Sequence, residues 1–141
     1  MSTLLKVEDL HLSFQGREVV HGVSFDINAG EKLALVGESG SGKTVTALSL
    51  LGLARGAWVR GKAVFEDADL LSMNEAQLRE VRGGDIAMIF QEPMTSLNPV
   101  LTIGYQIKEA IAVHSDLPNN EINNRVEELL MLVGIPVALA I

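Results

Sequence analysis

The 141-residue chain contains no cysteine, which excludes a disulfide framework and is compatible with a reducing compartment. Basic charge is scarce as well. Eleven Lys and Arg against eighteen Asp and Glu leave a net charge of −7 and a pI near 4.9. A general nucleic-acid binder needs a basic face, so no nucleic-acid partner is expected. The opening "MSTLLKVEDL" has no basic region followed by a long apolar run, and no secretory signal is expected. A membrane-length run is missing too: the longest uncharged stretch, Leu129 to Ile141, is interrupted by Gly134 and Pro136 and is too short to span a bilayer. The expectation is a soluble chain. With 48% hydrophobic residues, its length suits one packed domain. Overall acidity leaves room for a local anion site, because a single lysine and a helix N-terminus act over short range.

Two stretches, "LLKVEDLHLSF" and "EVVHGVSFDI", show partial alternation and carry β-branched or aromatic residues. Gly16 and Arg17 separate them, and they read as an antiparallel strand pair. "NAGE" is a turn, and "KLALV" is a continuous apolar run of the kind found in strands buried on both faces. "KTVTALSLLGL" is apolar nearly all round and reads as a helix buried against a sheet. "GKAVFEDADL" resembles a further strand and turn. Ser72 with Glu75 has the spacing of a capping box, opening a short helix over "MNEAQLREVR". "DIAMIF" again reads as a buried strand, ending at Gln91-Glu92-Pro93. Ile103, Ile107, Ala110 and Ile111 recur with helical period. So do Ile122, Val126, Leu129, Leu130 and Val133, with Gly134 and Pro136 as stop signals. There is no internal repeat and no low-complexity linker. The order is β-rich first and α-rich last, around a strand–loop–helix unit.

That loop is "GESGSGKT", Gly37 to Thr44, which has the G-x-x-x-x-G-K-[ST] spacing. Gly37, Gly40 and Gly42 free the backbone to turn its N–H groups around a phosphate. Glu38, Ser39 and Ser41 complete the cradle. Lys43 supplies charge to the β- and γ-phosphates, and Thr44 offers a hydroxyl to Mg²⁺. The helix that follows adds its dipole. By chance the spacing arises in roughly one chain in two hundred of this length at average composition. Its place between an apolar run and a helix makes chance rarer still.

The segments "VGESGSGKTVTALSLLGL" and "IAMIFQEPMTSLNPVLTIGYQI" together resemble the ATP-binding subunit of an ABC transporter. The closer likeness is to the branch serving dipeptide, oligopeptide, glutathione and nickel importers, over essentially residues 4 to 135. The resemblance implies an α/β P-loop NTPase fold with an antiparallel β-subdomain and the start of a helical subdomain, C-terminally incomplete. In this division residues 1–92 hold the β-subdomain and phosphate-loop core, and residues 93–141 open the helical subdomain. It implies ATP and Mg²⁺ as cofactors, with Phe14 stacking on adenine and Gly37 through Thr44 cradling the phosphates. The family usually has Tyr at the stacking position; Phe14 keeps the π-face. Gln91 matches the family's Q-loop glutamine, which approaches Mg²⁺ and the attacking water, so that Thr44 and Gln91 are the implied metal ligands and Gln91 the implied catalytic residue. Glu92, Pro93, Met94 and the stretch to Pro99 match the loop facing the permease. The implied partners are integral-membrane permease subunits, a second ATP-binding subunit and, indirectly, a solute-binding protein. The implied location is cytoplasmic, peripheral on the inner face of the cell membrane. None of His11, His21 and His114 matches the family's switch histidine, and they read as plain strand or surface residues.

The family continues with a Leu-Ser-Gly-Gly-Gln signature, a Walker B strand ending in Asp-Glu, a D-loop and a switch histidine, and these 141 residues contain none of them. "RGGD" at Arg82 to Asp85 lacks the signature's Ser, and "IAMIFQE" places Gln91 where a Walker B carboxylate would stand. The tail "PVALAI" departs from the family's polar lead toward the signature, which points to a frameshifted, truncated or incomplete chain. The functional expectation is an ATP-binding subunit that energises import of peptides or similar small solutes. This chain would bind ATP without hydrolysing it alone. A non-catalytic nucleotide-binding module and a non-functional fragment of a disrupted gene are the alternatives. The unpaired apolar runs "KLALV" and "DIAMIF" would then lack sheet neighbours and expose an aggregation-prone edge.

Overall fold

The computed structural model describes residues 2–137. They divide into two compact units, residues up to Arg82 and residues from Gly83 onward. The first unit is a four-stranded antiparallel sheet with one medium and one short helix. Its strands are β1 (Thr3–Phe14), β2 (Arg17–Asn28), β3 (Ala57–Phe65) and β4 (Ala68–Asp69), in the order β2-β1-β3-β4. Helix α1 spans Lys43–Leu50 and α2 spans Glu75–Val81. The expected antiparallel pair is β1 with β2. It closes through Gln15 and Gly16, both in the left-handed region at φ 49° and 80°, so that Phe14 faces Arg17. Two consecutive positive φ values form the hairpin turn whose twist matches that of the strands.

A change of phase in β1 organises the core. Leu5 and Val7 are buried, and so are Leu10 and Leu12. Uninterrupted alternation would put the second pair on the opposite face. The structure keeps both pairs on one face through an irregularity at Glu8 and Asp9, seen as a register shift against both β2 and β3. Asp9 takes φ 49°, the left-handed conformation that admits an extra residue into a ladder. Its neighbours fit around it. On β3, a Cβ at Gly61 would lie 2.5 Å from the Asp9 carbonyl oxygen and 2.8 Å from that of Glu8. On β2, Ser24 Oγ accepts the Asp9 N–H at 2.9 Å.

Asp9 and its neighbour His11 also join a polar cluster on the sheet surface. His11 Nδ1 bonds a Glu18 carboxylate oxygen, His11 Nε2 lies 3.0 Å from Asp9 Oδ1, and His21 Nδ1 lies 3.0 Å from the other Glu18 oxygen. The Glu18 carboxylate, aided by that of Asp9, holds the His11 pKa above the usual imidazole value. His11 and then His21 hold Glu18 below the usual carboxylate range.

Helix α1 packs against β3 and the short 3₁₀ turn Leu70–Ser72. Its buried residues are Thr46 and Ser49, whereas the sequence reads as a buried helix that is apolar nearly all round. Both hydroxyls bond back to the chain itself: Thr46 Oγ1 donates to Gly42 O at 2.8 Å and Ser49 Oγ to Thr46 O at 2.7 Å. Burial therefore leaves no unmet polar group there. The capping box of α2 is built from Asn74 and Gln77 rather than Ser72 and Glu75. Asn74 Oδ1 accepts the Gln77 N–H at 3.0 Å and Gln77 Oε1 accepts the Asn74 N–H at 2.9 Å. Ser72 instead donates to Asp69 O at 2.9 Å. Glu75 accepts from Arg82 at 2.6 Å, which lowers the Glu75 pKa.

The second unit is an αα-hairpin, α3 (Ile103–His114) and α4 (Asn119–Leu132). Ile122, Val126 and Leu130 form its buried stripe, against Ile103, Ile107, Ile111, Ile135 and Val137. Both periodic runs of the sequence are therefore helices, although Val133 lies just past the end of α4 and is exposed. Gly134 at φ 75° ends α4, with Ile135 N–H bonding back to Leu130 O at 2.9 Å, as helix C-termini require.

Two expected strands do not form, and both runs lack sheet neighbours among the described residues, as expected. Residues 32–36 ("KLALV") and 85–90 ("DIAMIF") read as buried strands, yet neither is one among the described residues. Val36 is 88% and Ile89 98% exposed. An apolar run becomes a buried strand only where another strand pairs with it, and the described sheet offers these segments none. The departure seen in the tail falls largely on residues 138–141, outside the described residues.

Gly61→Ala tests the β1 irregularity. The new Cβ meets two carbonyl oxygens of the backbone and φ +121° is strained for alanine; the expected loss is at least about 1–3 kcal/mol of unfolding free energy in urea titration. Gly56→Ala, strained by its φ of +75° but with nothing near its Cβ, should cost less. Equal losses would show that the close approach at Asp9 carries no stability.

Candidate functional site

The loop from Gly37 to Thr44 leads directly into α1. Gly42 is the N-cap at φ 93° and ψ 6°, with no side chain capping the helix. A Cβ there would meet Val20 Cγ2 at 2.9 Å and Val19 O at 3.1 Å, so glycine is needed for both conformation and space. The first ladder bond of the helix, Thr46 N–H to Gly42 O, is 2.9 Å long. The N–H groups that precede it have no acceptor within the helix and point toward the loop end. No acidic residue occupies the first turn. A helix start of this kind attracts an anion.

Lys43 supplies the charge. Its Nζ donates to Gly37 O at 2.7 Å, to Glu38 O at 2.6 Å and to Ser41 Oγ at 3.1 Å, so that its three N–H groups hold the loop curled over the helix end. All three acceptors are neutral oxygens, two backbone carbonyls and a hydroxyl. A backbone bond from Ser41 N–H to Glu38 O at 3.2 Å closes the turn. Gly37 is confined too: a Cβ there would lie 2.6 Å from Ser41 Oγ. Glu38, Ser39 and Gly40 are exposed.

Phe14, Val19, Gly40, Ser41, Gly42, Lys43, Thr44 and Val45 line one hollow of about 230 Å³. The fold therefore brings Phe14 beside the glycine-rich loop, although 26 positions separate Phe14 from Gly40 in the sequence. The β1–β2 hairpin does this: Phe14 closes β1, and Val19 sits where the β1–β2 register shifts between Leu12 and Ser13. Thr44 is exposed at the rim. The chemistry of the site is a flat apolar wall from Phe14 and Val19 beside a cationic, N–H-rich cradle. Val19 and Val45 are lining residues without a signal in the sequence, being ordinary aliphatic positions until the hairpin and helix are folded.

Gln91 belongs to the other unit. It lies exposed on a bend, and the lining of the hollow comes wholly from the first unit. The segment after it is tied to α3 by Gln106, whose side chain accepts the Asn98 N–H at 2.8 Å and donates to Asn98 O at 3.0 Å and Leu101 O at 3.1 Å. Met94, 92% exposed, and Val100 project from this segment into solvent. Gln106 is a third residue that the sequence does not mark, the one amide side chain of α3. Among the described residues no helix is long and apolar enough to cross a membrane, and no cluster of His, Cys, Asp or Glu is arranged to hold a metal ion.

Comparison with known proteins follows the same lines. The profile of the ABC transporter family matches residues 20–139. The oligopeptide transport ATP-binding protein AppD of Bacillus subtilis is 48% identical over 141 residues, 95% of this chain and 43% of that protein. The glutathione import ATP-binding protein GsiA of Escherichia coli is 45% identical over 147 residues, 96% of this chain and 24% of that protein. Among solved structures, the dimeric post-hydrolysis state of the ATP-binding cassette MJ0796, bound to ADP and Pi, superposes with a TM-score of 0.76 at 18% identity, covering 96% of this chain and 60% of that one. The expected α/β fold with an antiparallel β-subdomain is thus observed, and the chain spans less than half the length of these curated relatives. The cradle, its helix and the flanking hairpin are those of a protein that belongs to the ABC transporter family.

Proposed function

We propose that the chain is the nucleotide-binding part of an ATP-binding subunit that energises import of peptides or similar small solutes through a membrane permease. The observation that carries this reading is the hollow in which Phe14 and the Lys43 cradle share one wall and floor. An adenine ring suits the aromatic wall, where stacking contributes about 1–3 kcal/mol. The triphosphate suits the helix start and the ammonium. Its oxygens would replace the carbonyls of Gly37 and Glu38 as acceptors for Lys43. Relatives named as oligopeptide and glutathione transport subunits, at 48% and 45% identity, support the class of solute.

Thr44 of the first unit and Gln91 of the second each carry a hard oxygen donor of the kind that Mg²⁺ takes, a hydroxyl and an amide oxygen, and the ion would supply charge neutralisation to the phosphates. Gln91 would also orient the attacking water. In this reading residues 1–92 make the β-subdomain and phosphate-loop core, and residues 93–141 begin the helical subdomain. The Gln106-tied segment with exposed Met94 and Val100 faces the permease, a role suited to a flexible thioether surface. A second ATP-binding subunit, a solute-binding protein acting through the permease, and a peripheral position on the inner face of the cell membrane complete the proposal.

Lys43→Ala should weaken ATP binding about tenfold to a hundredfold, the ~1.5–3 kcal/mol of a charge-assisted bond. Fluorescent-nucleotide titration reads this, and equal affinities for wild type and variant would sink the cradle. Phe14→Ala should lower affinity for ATP while leaving inorganic triphosphate unchanged, since only ATP carries a base to stack; parallel losses would make Phe14 a structural residue. The 141-residue chain should bind ATP without turning it over. Its hollow offers ground-state contacts, and rate acceleration needs contacts made in the transition state. A phosphate-release assay that finds turnover dependent on both Lys43 and Mg²⁺ would refute this last statement.

A further inference from the structure

The His11 cluster lies next to the hairpin that carries Phe14 and Val19, and its hydrogen-bond stoichiometry is informative. Both ring nitrogens face carboxylates, Nδ1 toward Glu18 and Nε2 toward Asp9 at 3.0 Å. An ionised carboxylate only accepts, so both ring nitrogens must donate, and only the imidazolium has two N–H groups. The ring is also fitted into place. Gly22, at φ +72°, leaves room that a Cβ would close, since it would lie 3.0 Å from Asp9 Oδ1 and 3.1 Å from His11 Nε2.

We propose that His11 is a positioning residue of the nucleotide hollow: as an imidazolium it ties Asp9 in the β1 irregularity to Glu18 on β2, and so holds Phe14 and Val19 in the wall. This rests on the nucleotide-binding reading above. Asp9 has a non-glycine left-handed conformation at φ 49°, which persists only where its surroundings over-determine it. His11 is one such constraint, and the Ser24 hydroxyl is the other named one. From His11 the strand runs three residues to Phe14, while Glu18 precedes Val19 directly. The chain Asp9–His11–Glu18 therefore runs from the β1 irregularity to the residue before Val19, and losing its Asp9 link frees the hollow's wall from that irregularity.

A neutral imidazole has one N–H, and its second nitrogen would present a lone pair to a carboxylate. One tie is then lost. Asp9, with a side chain 78% exposed against 42% for Glu18, is the partner more easily given up to water. The charged groups facing His11 are Asp9 on its own strand, Glu18 and His21 on β2, and Arg60, its register partner on β3. Arg60 opposes the proton, and the two carboxylates outweigh it, so the pKa is raised. The sign follows: the double tie is complete at pH below the ordinary imidazole value and is lost as pH rises through the raised folded-state value.

The test is a pH titration of the 141-residue chain by ¹H–¹⁵N NMR, following the His11 ring and the amides of Asp9, Phe14 and Val19, in wild type, His11→Gln and His21→Gln. All three amides should move with the His11 midpoint in wild type and in His21→Gln, and that transition should vanish in His11→Gln. Calorimetric ATP affinity of wild type relative to His11→Gln, which cancels the titration of the ATP phosphates themselves, should weaken about threefold to tenfold across the same midpoint, the partial loss of a stacking contact. Phe14 and Val19 amides that stay still while the His11 ring titrates would overturn the proposal. So would ATP pH profiles that run parallel in wild type and His11→Gln. Co-titrating amides with no ATP binding at any pH would refute the nucleotide reading and leave the tie across the hairpin standing.

Discussion

The extra residue in β1 is the constraint on which the rest of the first unit depends. Leu5 and Val7 occupy one phase of the strand; Leu10, Leu12 and Phe14 occupy the other. All five can share a face only if the ladder gains one residue between them. Leu10 and Leu12 are fully buried, and each such side chain contributes roughly 1.5–3 kcal/mol. That sum exceeds the roughly 1–3 kcal/mol of a strained non-glycine backbone, so the left-handed Asp9 is the cheaper solution. Gly61 exists where the bulging backbone comes closest, Gly22 where the Asp9 and His11 side chains do. Phe14, at the far end of the same strand, reaches the hollow because the phase was changed five residues earlier.

Electrostatics at the hollow run against those of the whole chain. A protein of net charge −7 repels anions at long range, yet screening cuts that field off over about 8 Å at physiological salt. Inside that distance the local arrangement decides. The Lys43 ammonium is held by two backbone carbonyls and a hydroxyl, none of which cancels its charge. The first turn of α1 holds no carboxylate. An anion at the helix start therefore meets a full cation and unpaired N–H groups, whatever the remainder of the surface carries.

What the sequence makes legible is what is encoded locally. The glycine-rich loop is read from spacing alone, because phosphate geometry fixes which positions must be glycine, lysine and hydroxyl. The hairpin and the two later helices are read from turn residues and period. The capping box was misplaced because two overlapping patterns, Ser72 to Glu75 and Asn74 to Gln77, both fit the rule, and only the fold shows Ser72 bonded to Asp69. The polar burial of Thr46 and Ser49 was hidden because back-bonding to the helix itself leaves no mark in a pattern of apolar residues. Val19, Gln106 and the His11 cluster escape for a common reason: their partners lie across strands or turns, and no spacing rule reports such contacts. Gln91 is marked by the residues around it, "IAMIFQEPM", rather than by any period or capping rule.

The exposed run at residues 32–36 connects these points. It leads straight into the cradle, and no ladder holds it among the described residues. The bonds from Lys43 to Gly37 O and Glu38 O are what join the end of that run to α1. A phosphate that captures the ammonium weakens the same bridge, so part of the attraction is spent on loosening the loop that binds it. A strand paired along residues 32–36 would hold Gly37 in place independently and leave Lys43 free to serve the phosphate alone. Preorganisation of this kind strengthens binding by removing an ordering cost rather than by adding a contact. Among the described residues no strand pairs with residues 32–36, so the Gly37 end of the loop is joined to α1 through Lys43.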